Sequence, residues 1–337
     1  MKKIIITRLK GILLTTSISI VSVPVLIYGG LLVKRPFRSD KQEQLFQGIV
    51  YQRDARNSPR PLMVHTVTID LTAPGIKLLV TPGNKVDKNE FTARTTSKFV
   101  REFKLQLAIN GSFFYPFRQY PPNSYPKSGD PVIVQGQVIS EGKSYAPPKA
   151  TSSVLCISKF LRAQIYQKRC PLGTSQGLAG REILLKEGKP AVLGGRGGEN
   201  LFSPRTAVAI DKSGKTLWLI IVDGRQKFYS EGVTLAELTK IIQELGADSA
   251  LNLDGGGSTT LVVANKNKLR VLNSPIQTRI PTRQRPVANH LGIYALPVEN
   301  RESGVGSRES GVGSRESGVG SRESGVGSRE SGKKYHH

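Results

Sequence analysis

The chain has 337 residues, 49 Lys and Arg against 25 Asp and Glu, and a formal net charge of +24. That length suits one large domain or two small ones, and the ordinary apolar share permits a sizeable core. The positive excess favours anionic partners, whether nucleic acid, anionic lipid or phosphate-bearing polymer, and the two body histidines, His65 and His290, are too few and too isolated to support a zinc or haem site.

Lys2, Lys3, Arg8 and Lys10 precede a charge-free run over 11–33, and Lys34, Arg35 and Arg38 follow it. A run of roughly 20 apolar residues crosses a bilayer as a helix. A cleaved signal has a shorter apolar core and a small-x-small site, and no Ala-x-Ala occurs here. Residues 1–38 are therefore expected to be an uncleaved signal anchor with its N-terminus in the cytoplasm, although basic residues on both flanks orient it only weakly. The body is then membrane-anchored and extracytoplasmic, in the periplasm or at the cell surface, which argues against a nucleic-acid partner. Residues 39–60 are polar and basic and are expected to be a linker. Cys156 and Cys170 are an isolated pair, which in an exported protein suggests a disulfide; two separate buried thiols are the alternative.

The stretch 61–298 reads as the folded domain. Alternation or apolar runs predict strands at 64–71, 76–80, 105–109, 131–139, 153–157, 163–166, 182–185, 206–210, 217–222, 250–253, 260–263 and 291–295. One helix is signposted by Thr234-Leu-Ala-Glu237, a capping box, followed by Leu238, Ile241, Ile242 and Leu245 at helical spacing and by Gly246 as a stop. The order strand, Asp223-Gly, helix, strand, Asp254-Gly places two carboxylates at the C-terminal ends of two strands. If those strands are parallel, both acids emerge at one end of a sheet, where ligands commonly bind. Beyond the domain, RESGVGS repeats four times from Arg301 to Ser328. One Val per repeat cannot form a coiled-coil seam, so 299–337 is expected to be a disordered tail. The expected class is α+β: a strand-rich mixed-sheet domain with few helices, preceded by one transmembrane helix and followed by the repeat tail.

Three glycines after Asp254 exceed what a hairpin turn needs and cost backbone entropy; close approach of a ligand to the backbone explains them. Their amides, from Gly255 to Ser258, are expected to form an anion-binding concavity. A Ser258–His290–Asp254 triad is an alternative, but the Gly-x-Ser-x-Gly elbow is absent. The glycines at 194–198 lack the Lys-Ser/Thr of a phosphate loop.

Taken together, Leu107-Ala-Ile-Asn-Gly-Ser-Phe-Phe114, Pro204-Arg-Thr-Ala-Val-Ala-Ile-Asp211, Val222-Asp-Gly-Arg225, Ser230-Glu-Gly-Val-Thr-Leu-Ala-Glu-Leu238, Ala250-Leu-Asn-Leu-Asp-Gly-Gly-Gly-Ser-Thr259 and Arg285-Pro-Val-Ala-Asn289 resemble the phosphodiester glycosidase domain family over about 105–295. Bacterial relatives are often described as related to exopolysaccharide biosynthesis. The resemblance implies hydrolysis of a sugar-1-phosphodiester at the glycosidic bond, leaving a reducing sugar and a phosphomonoester. Asp223 and Asp254 are the candidate catalytic carboxylate pair. Arg205 is expected to meet the phosphate with its planar fork, assisted by Arg285. Asn110, Asn252 and Asn289 are expected to hydrogen-bond sugar hydroxyls or phosphate oxygens, with Gly255, Gly256, Gly257, Ser258 and Thr259 completing the substrate wall. No cofactor is implied; a divalent cation bridging Asp254 to the phosphate is the alternative use of that carboxylate. The competing function is a non-catalytic binder of anionic cell-surface polysaccharide.

Overall fold

Alternation decides the largest sheet. In the strand Thr216–Val222, Leu217, Leu219 and Ile221 join one apolar cluster while Ile220 and Val222 join another, as a strand covered on both faces requires. The computed structural model describes residue 26 and residues 28–84, 90–118, 126–192, 198–265 and 268–298, and these lie in one compact unit. Eight strands form that sheet in the spatial order Lys41–Phe46, Ile49–Arg56, Leu62–Asp70, Thr216–Val222, Arg205–Ile210, Ser249–Asn252, Ile183–Lys186 and Lys189–Pro190.

Three smaller sheets pack around one of its faces. One holds Lys143–Ala146, Val138–Ser140, Thr174–Gly180, Ser153–Ser158 and Ala163–Gln167; another holds Lys268–Val271, Leu261–Asn265, Leu107–Asn110, His290–Tyr294 and Lys77–Val80. Glu90–Thr92, Pro131–Val134 and Phe114–Tyr115 form the last. All four sheets feed a common core that includes Tyr51, Leu219, Leu155, Ile109 and Phe91.

Helix α1, Thr96–Glu102, is capped by Thr95, whose Oγ1 accepts from Lys98 N at 3.2 Å, and it buries Phe99 and Val100 against the Leu107–Asn110 sheet. Helix α2, Leu235–Glu244, has the expected capping box between Thr234 and Glu237 and covers the second face of the large sheet through Leu235, Leu238, Ile241 and Ile242. Gly246 follows at φ 75°, the left-handed stop that glycine supplies without strain.

Several expectations are corrected. The sheets are not mixed: every ladder among the described strands is antiparallel. The α2 crossover joins two strands with a third between them, so no parallel neighbours arise. The 39–60 linker is instead a hairpin, Lys41–Phe46 with Ile49–Arg56, at the edge of the large sheet. Phe46, Ile49 and Tyr51 are buried there, and Gly48 turns at φ 69° with room for no Cβ, since one would lie 2.3 Å from Ala73 Cβ. The stretch 131–139 is two strands separated by Gly136 at φ 120°. Thr174–Gly180, Lys143–Ala146 and α1 were not signalled by alternation or caps. Most of the 1–38 segment and all of the 299–337 tail lie outside the described residues; residues 28–33 are helical. Among the described residues no helix is long and apolar enough to cross a membrane.

Candidate active site

Strand direction assembles the site. Arg205–Ile210 lies antiparallel to both Thr216–Val222 and Ser249–Asn252. Those two outer strands therefore run parallel to each other, and Asp223 and Asp254 leave the sheet at the same edge. The Asn110-Gly111 turn of a neighbouring sheet reaches this edge. Asn110 Nδ2 donates to Asp254 O at 2.5 Å, while its Oδ1 accepts from Thr206 Oγ1 at 3.0 Å and from Thr260 N at 3.1 Å. Asn289 holds the same turn: its Oδ1 accepts from Ser112 N at 2.8 Å and its Nδ2 donates to Ser112 Oγ at 3.0 Å. Both amides are fully buried, and these contacts tie the turns around Asp254 together.

Asp254 is partly exposed. Its Oδ2 accepts from Ser258 Oγ at 2.5 Å, and that oxygen in turn accepts from Arg285 Nη1 at 3.1 Å. Arg285 is held by Gln277, whose Oε1 accepts from its Nε at 2.7 Å, and it lies 5.5 Å from the centre of the Phe117 ring. Burial pushes the Asp254 carboxyl above the ordinary aspartate range, opposed by the charge of Arg285, the Ser258 hydroxyl and the charge of Arg181. Burial likewise pushes Arg285 down, with Asp254 opposing. Arg181 stacks over Phe113 at 3.9 Å. Arg225, at φ 59°, brings its guanidinium beside Gly256. Two guanidinium groups, Arg285 and Arg181, thus act on this carboxyl by charge, and a third, Arg225, lies beside the loop that follows it.

The glycines answer to protein neighbours. A Cβ at Gly255 would lie 2.7 Å from Pro204 O, and one at Gly257 would lie 2.5 Å from Gln277 Oε1 and 2.6 Å from Arg285 Nη2. Gly256 sits at φ 60°, where glycine is unstrained. Gly256 N donates to Pro204 O at 2.8 Å, and Ser258 N donates to Gly255 O at 3.2 Å within a single 3-10 turn. Those two amides do not open toward a ligand, so of the anion-binding concavity expected over Gly255–Ser258 the amides of Gly256 and Ser258 are spent within the protein. What the small residues permit is close approach of Arg225 and Arg285. Ser258 and Thr259 are buried, leaving Asp254, Gly255 and Gly256 as the partly exposed part of the loop.

Asp223 is in a different environment. It is 1 % exposed, and both oxygens are occupied. Oδ2 accepts from His65 Nε2 at 3.1 Å, Oδ1 accepts from Asn273 Nδ2 at 2.9 Å, and Ser274 N lies 2.9 Å from both. Because a carboxylate only accepts, His65 carries a proton on Nε2, and its Nδ1 is hydrogen-bonded to the Tyr51 hydroxyl at 2.8 Å. Burial raises the Tyr51 phenol further above its ordinary value, keeping it a donor. No local pattern marks His65 for this role, because its partners lie 14 and 158 residues away.

Arg205 stands at the site edge, but its Nε donates to Val233 O at 3.0 Å and its Nη2 to Gly198 O and Leu201 O at 2.8 Å each. It braces the 198–201 turn, and those donors are not presented to a phosphate. Asn252 Nδ2 donates to Glu182 Oε2 at 2.7 Å, and its buried Oδ1 has no protein partner among the described residues. The serine triad is not assembled: His290 Nδ1 pairs with Thr81 Oγ1 at 3.2 Å, its ring stacks on Phe99 at 4.6 Å, and burial pushes its pKa down to about 3. Among the described residues no group of three His, Cys, Asp or Glu is gathered for a metal ion. The charges that act on the Asp254 carboxyl are those of Arg285 and Arg181. Arg181 and Phe117 went unsignalled, and Arg225 entered only as the end of the Val222–Arg225 motif with no role of its own, because only the folded loops bring them to this edge. Cys156 and Cys170 form the expected disulfide, with Cα atoms 5.6 Å apart.

Residues 103–294 match the phosphodiester glycosidase family model. Among solved structures, the chain is similar to a hypothetical protein from Synechocystis, with TM-score 0.52, 18 % identity and coverage of 78 % of this chain but only 64 % of that one. It is also similar to the zebrafish N-acetylglucosamine-1-phosphodiester alpha-N-acetylglucosaminidase catalytic domain, auto-inhibited by pro-peptide, at TM-score 0.52 and 20 % identity, covering 78 % of this chain and 92 % of that one. A Burkholderia pseudomallei protein described as exported matches at TM-score 0.50 and 15 % identity, over 72 % of this chain and 76 % of that one. No curated protein sequence matches this chain. At these identities the structural likeness speaks for the fold, whereas the family match spans more than half of the chain. The chain belongs to the phosphodiester glycosidase family.

Proposed function

We propose that this protein hydrolyses the glycosidic C1–O bond of an extracytoplasmic sugar-1-phosphodiester, with Asp254 as the reacting carboxylate. The observation that carries the reading is Asp254 itself: a partly exposed carboxyl with a raised pKa, hydrogen-bonded through Ser258 to Arg285, under the charge of Arg181, and followed by a glycine loop against which Arg225 lies. Guanidinium groups match phosphate oxygens in geometry and keep their charge in a dry site. In this reading Arg225 holds the phosphodiester, and Arg285, buried and hydrogen-bonded to Gln277 and Ser258, supports it through its charge. Water attacks C1 and yields its proton to the Asp254 carboxylate. The C1–O electron pair leaves with the oxygen as a phosphomonoester, whose growing charge the arginines stabilise. A raised pKa makes Asp254 the stronger base. Phosphate is already a good leaving group, so a second, acidic carboxyl is not required, and Asp223 serves as a positioning residue for the 273–274 turn.

The Cys156–Cys170 disulfide supports an oxidising, extracytoplasmic location, and the charge-free 11–33 run supports a membrane anchor. The test is incubation with a panel of glycosyl-1-phosphodiesters, following reducing sugar and phosphomonoester together. Equal release of both, reduced at least ~1000-fold in Asp254→Asn, is the expected result. Binding of anionic glycans that weakens steeply with salt, with no release, would overturn the reading in favour of the binder.

A further inference from the structure

The segment that follows the charge-free run docks on the loop that carries an active-site arginine. Arg38 donates to Leu62 O at 3.4 Å, to Arg56 O at 2.9 Å, to Asn57 Oδ1 at 2.6 Å and to Tyr229 O. Arg35 lies 4.4 Å from the centre of the Tyr229 ring and donates to Gln226 Oε1 at 3.5 Å. Tyr229 O–H donates to Pro36 O at 3.0 Å. Residues 35–38 are thus clamped to the turn 225–230, and that turn begins with Arg225, whose guanidinium lies against Gly256. Four residues lie between Val33 and Arg38, a span of at most about 18 Å of extended chain. If 11–33 enters a bilayer, the clamp at Arg38 stands no further than that from its end.

The surface there suits such a place. Phe37 is 86 % exposed and Phe228 is 78 % exposed, each beside a residue of the clamp. Lys227 lies 5.1 Å from the Phe228 ring. Phe202, 51 % exposed, is covered on one face by Arg60 at 3.8 Å. Aromatic tips interleaved with cations are the composition of a surface that meets anionic headgroups, and Phe37 and Phe228 stand on the two sides of one clamp.

We propose that the substrate is a lipid-linked sugar-1-phosphodiester of the membrane in which the 11–33 run is anchored, a proposal that rests on the hydrolase reading above. The lipid tail stays among the acyl chains, the phosphate meets Arg225 with the charge of Arg285 behind it, and the sugar stands above the headgroups beside Asp254. Water cleaves the C1–O bond; the sugar leaves as a reducing sugar, and the lipid phosphomonoester remains in the bilayer.

The test uses the full chain in phosphatidylcholine vesicles containing phosphatidylglycerol. Each sugar of a panel is supplied as a matched pair, a butyl phosphodiester in solution and a long-prenyl phosphodiester in the vesicle. The expected result is a prenyl kcat/KM at least ~10-fold above the butyl value for one sugar, falling about tenfold in Phe37→Ser/Phe228→Ser while the butyl value holds. Both side chains are exposed, so the variant folds, and an unchanged melting temperature verifies it. Cleavage of butyl diesters as fast as prenyl diesters, insensitive to the double variant, overturns the lipid proposal and leaves the hydrolase intact. No cleavage of either member of any pair overturns the hydrolase reading and this proposal with it.

Discussion

The two aspartates at one sheet edge should respond in opposite ways to removal, and the difference is large enough to measure. Asp223→Ala strips the partners from three buried donors: His65 Nε2–H, Asn273 Nδ2–H and Ser274 N–H. Each unpaired buried donor costs about 1–3 kcal/mol. With some relief from water entering the gap, a net loss of about 4 kcal/mol is expected, or a fall in Tm of roughly 8–16 °C at 2–4 °C per kcal/mol for a domain of this size. Asp254→Asn keeps the Ser258 contact in shape and removes a carboxylate whose ionised form is disfavoured by burial. Its Tm should equal or exceed the parent's at neutral pH, while turnover is lost. Thermal melting of both variants and the parent, monitored by circular dichroism and by calorimetry, reads the contrast directly. An Asp223→Ala protein that melts within ~2 °C of the parent, or an Asp254→Asn protein that melts far below it, would refute the assignment of a bracing role to one acid and a reacting role to the other.

The remaining expectations follow from the same contacts. If Asp254 acts as the base, activity rises with pH through a limb above the ordinary aspartate range, and Arg285→Gln moves that limb further up, because the charge that opposes the rise is gone; kcat/KM against pH checks both. The linkage has a sign: with the folded pKa raised, the Asp254 contribution to stability is fully present below its unfolded pKa and is lost as pH rises through the folded one. The Tm advantage of Asp254→Asn should therefore vanish in acid. Gly257→Ala places a methyl 2.6 Å from Arg285 Nη2 and 2.5 Å from Gln277 Oε1; activity should drop at least ~10-fold, mostly as a raised KM for the phosphodiester. Cys156→Ser/Cys170→Ser opens a loop of sequence separation 14; about 3 kcal/mol should be lost in the chain-entropy account, and a Tm equal to the parent's would contradict it.

The legible part of the fold was whatever a single segment could announce. The 217–222 strand, the Thr234–Glu237 capping box and the order of strand, acid, helix, strand, acid all rest on local chemistry, and the two acids do leave one sheet edge. The Lys41–Arg56 hairpin was hidden because an edge strand keeps Lys41, Gln42 and Gln52 in water and so resembles a linker. Thr174–Gly180 was hidden for the opposite reason. A Cβ at Gly177 would lie 3.1 Å from Ile139 and one at Gly180 would lie 2.4 Å from Asn252 O, so tight packing replaces strand-forming side chains with glycine. At the site, Asp254 was visible through its glycines, although they make room for Arg225 and Arg285 and not for a ligand directly. The roles of Asp223 and Arg205 depend on partners such as His65, Ser274 and Val233, supplied by segments 28 or more residues away. No pattern within one segment encodes those meetings.

Asn110 is followed by Gly111, the dipeptide in which an asparagine side chain most readily closes on the next amide nitrogen and loses ammonia. In the folded protein the Asn110 amide is spent on Thr206, Thr260 and Asp254 O, and Gly111 N donates to Asn289 O at 3.0 Å. The attacking nitrogen is held away from the carboxamide, so chemical ageing at this position requires the turn to open first. An aspartate formed there would lack the amide donor to Asp254 O and would add a negative charge beneath the reacting carboxyl. Deamidation at 110, read by peptide mass spectrometry, thus serves as an irreversible clock of how often the site comes apart.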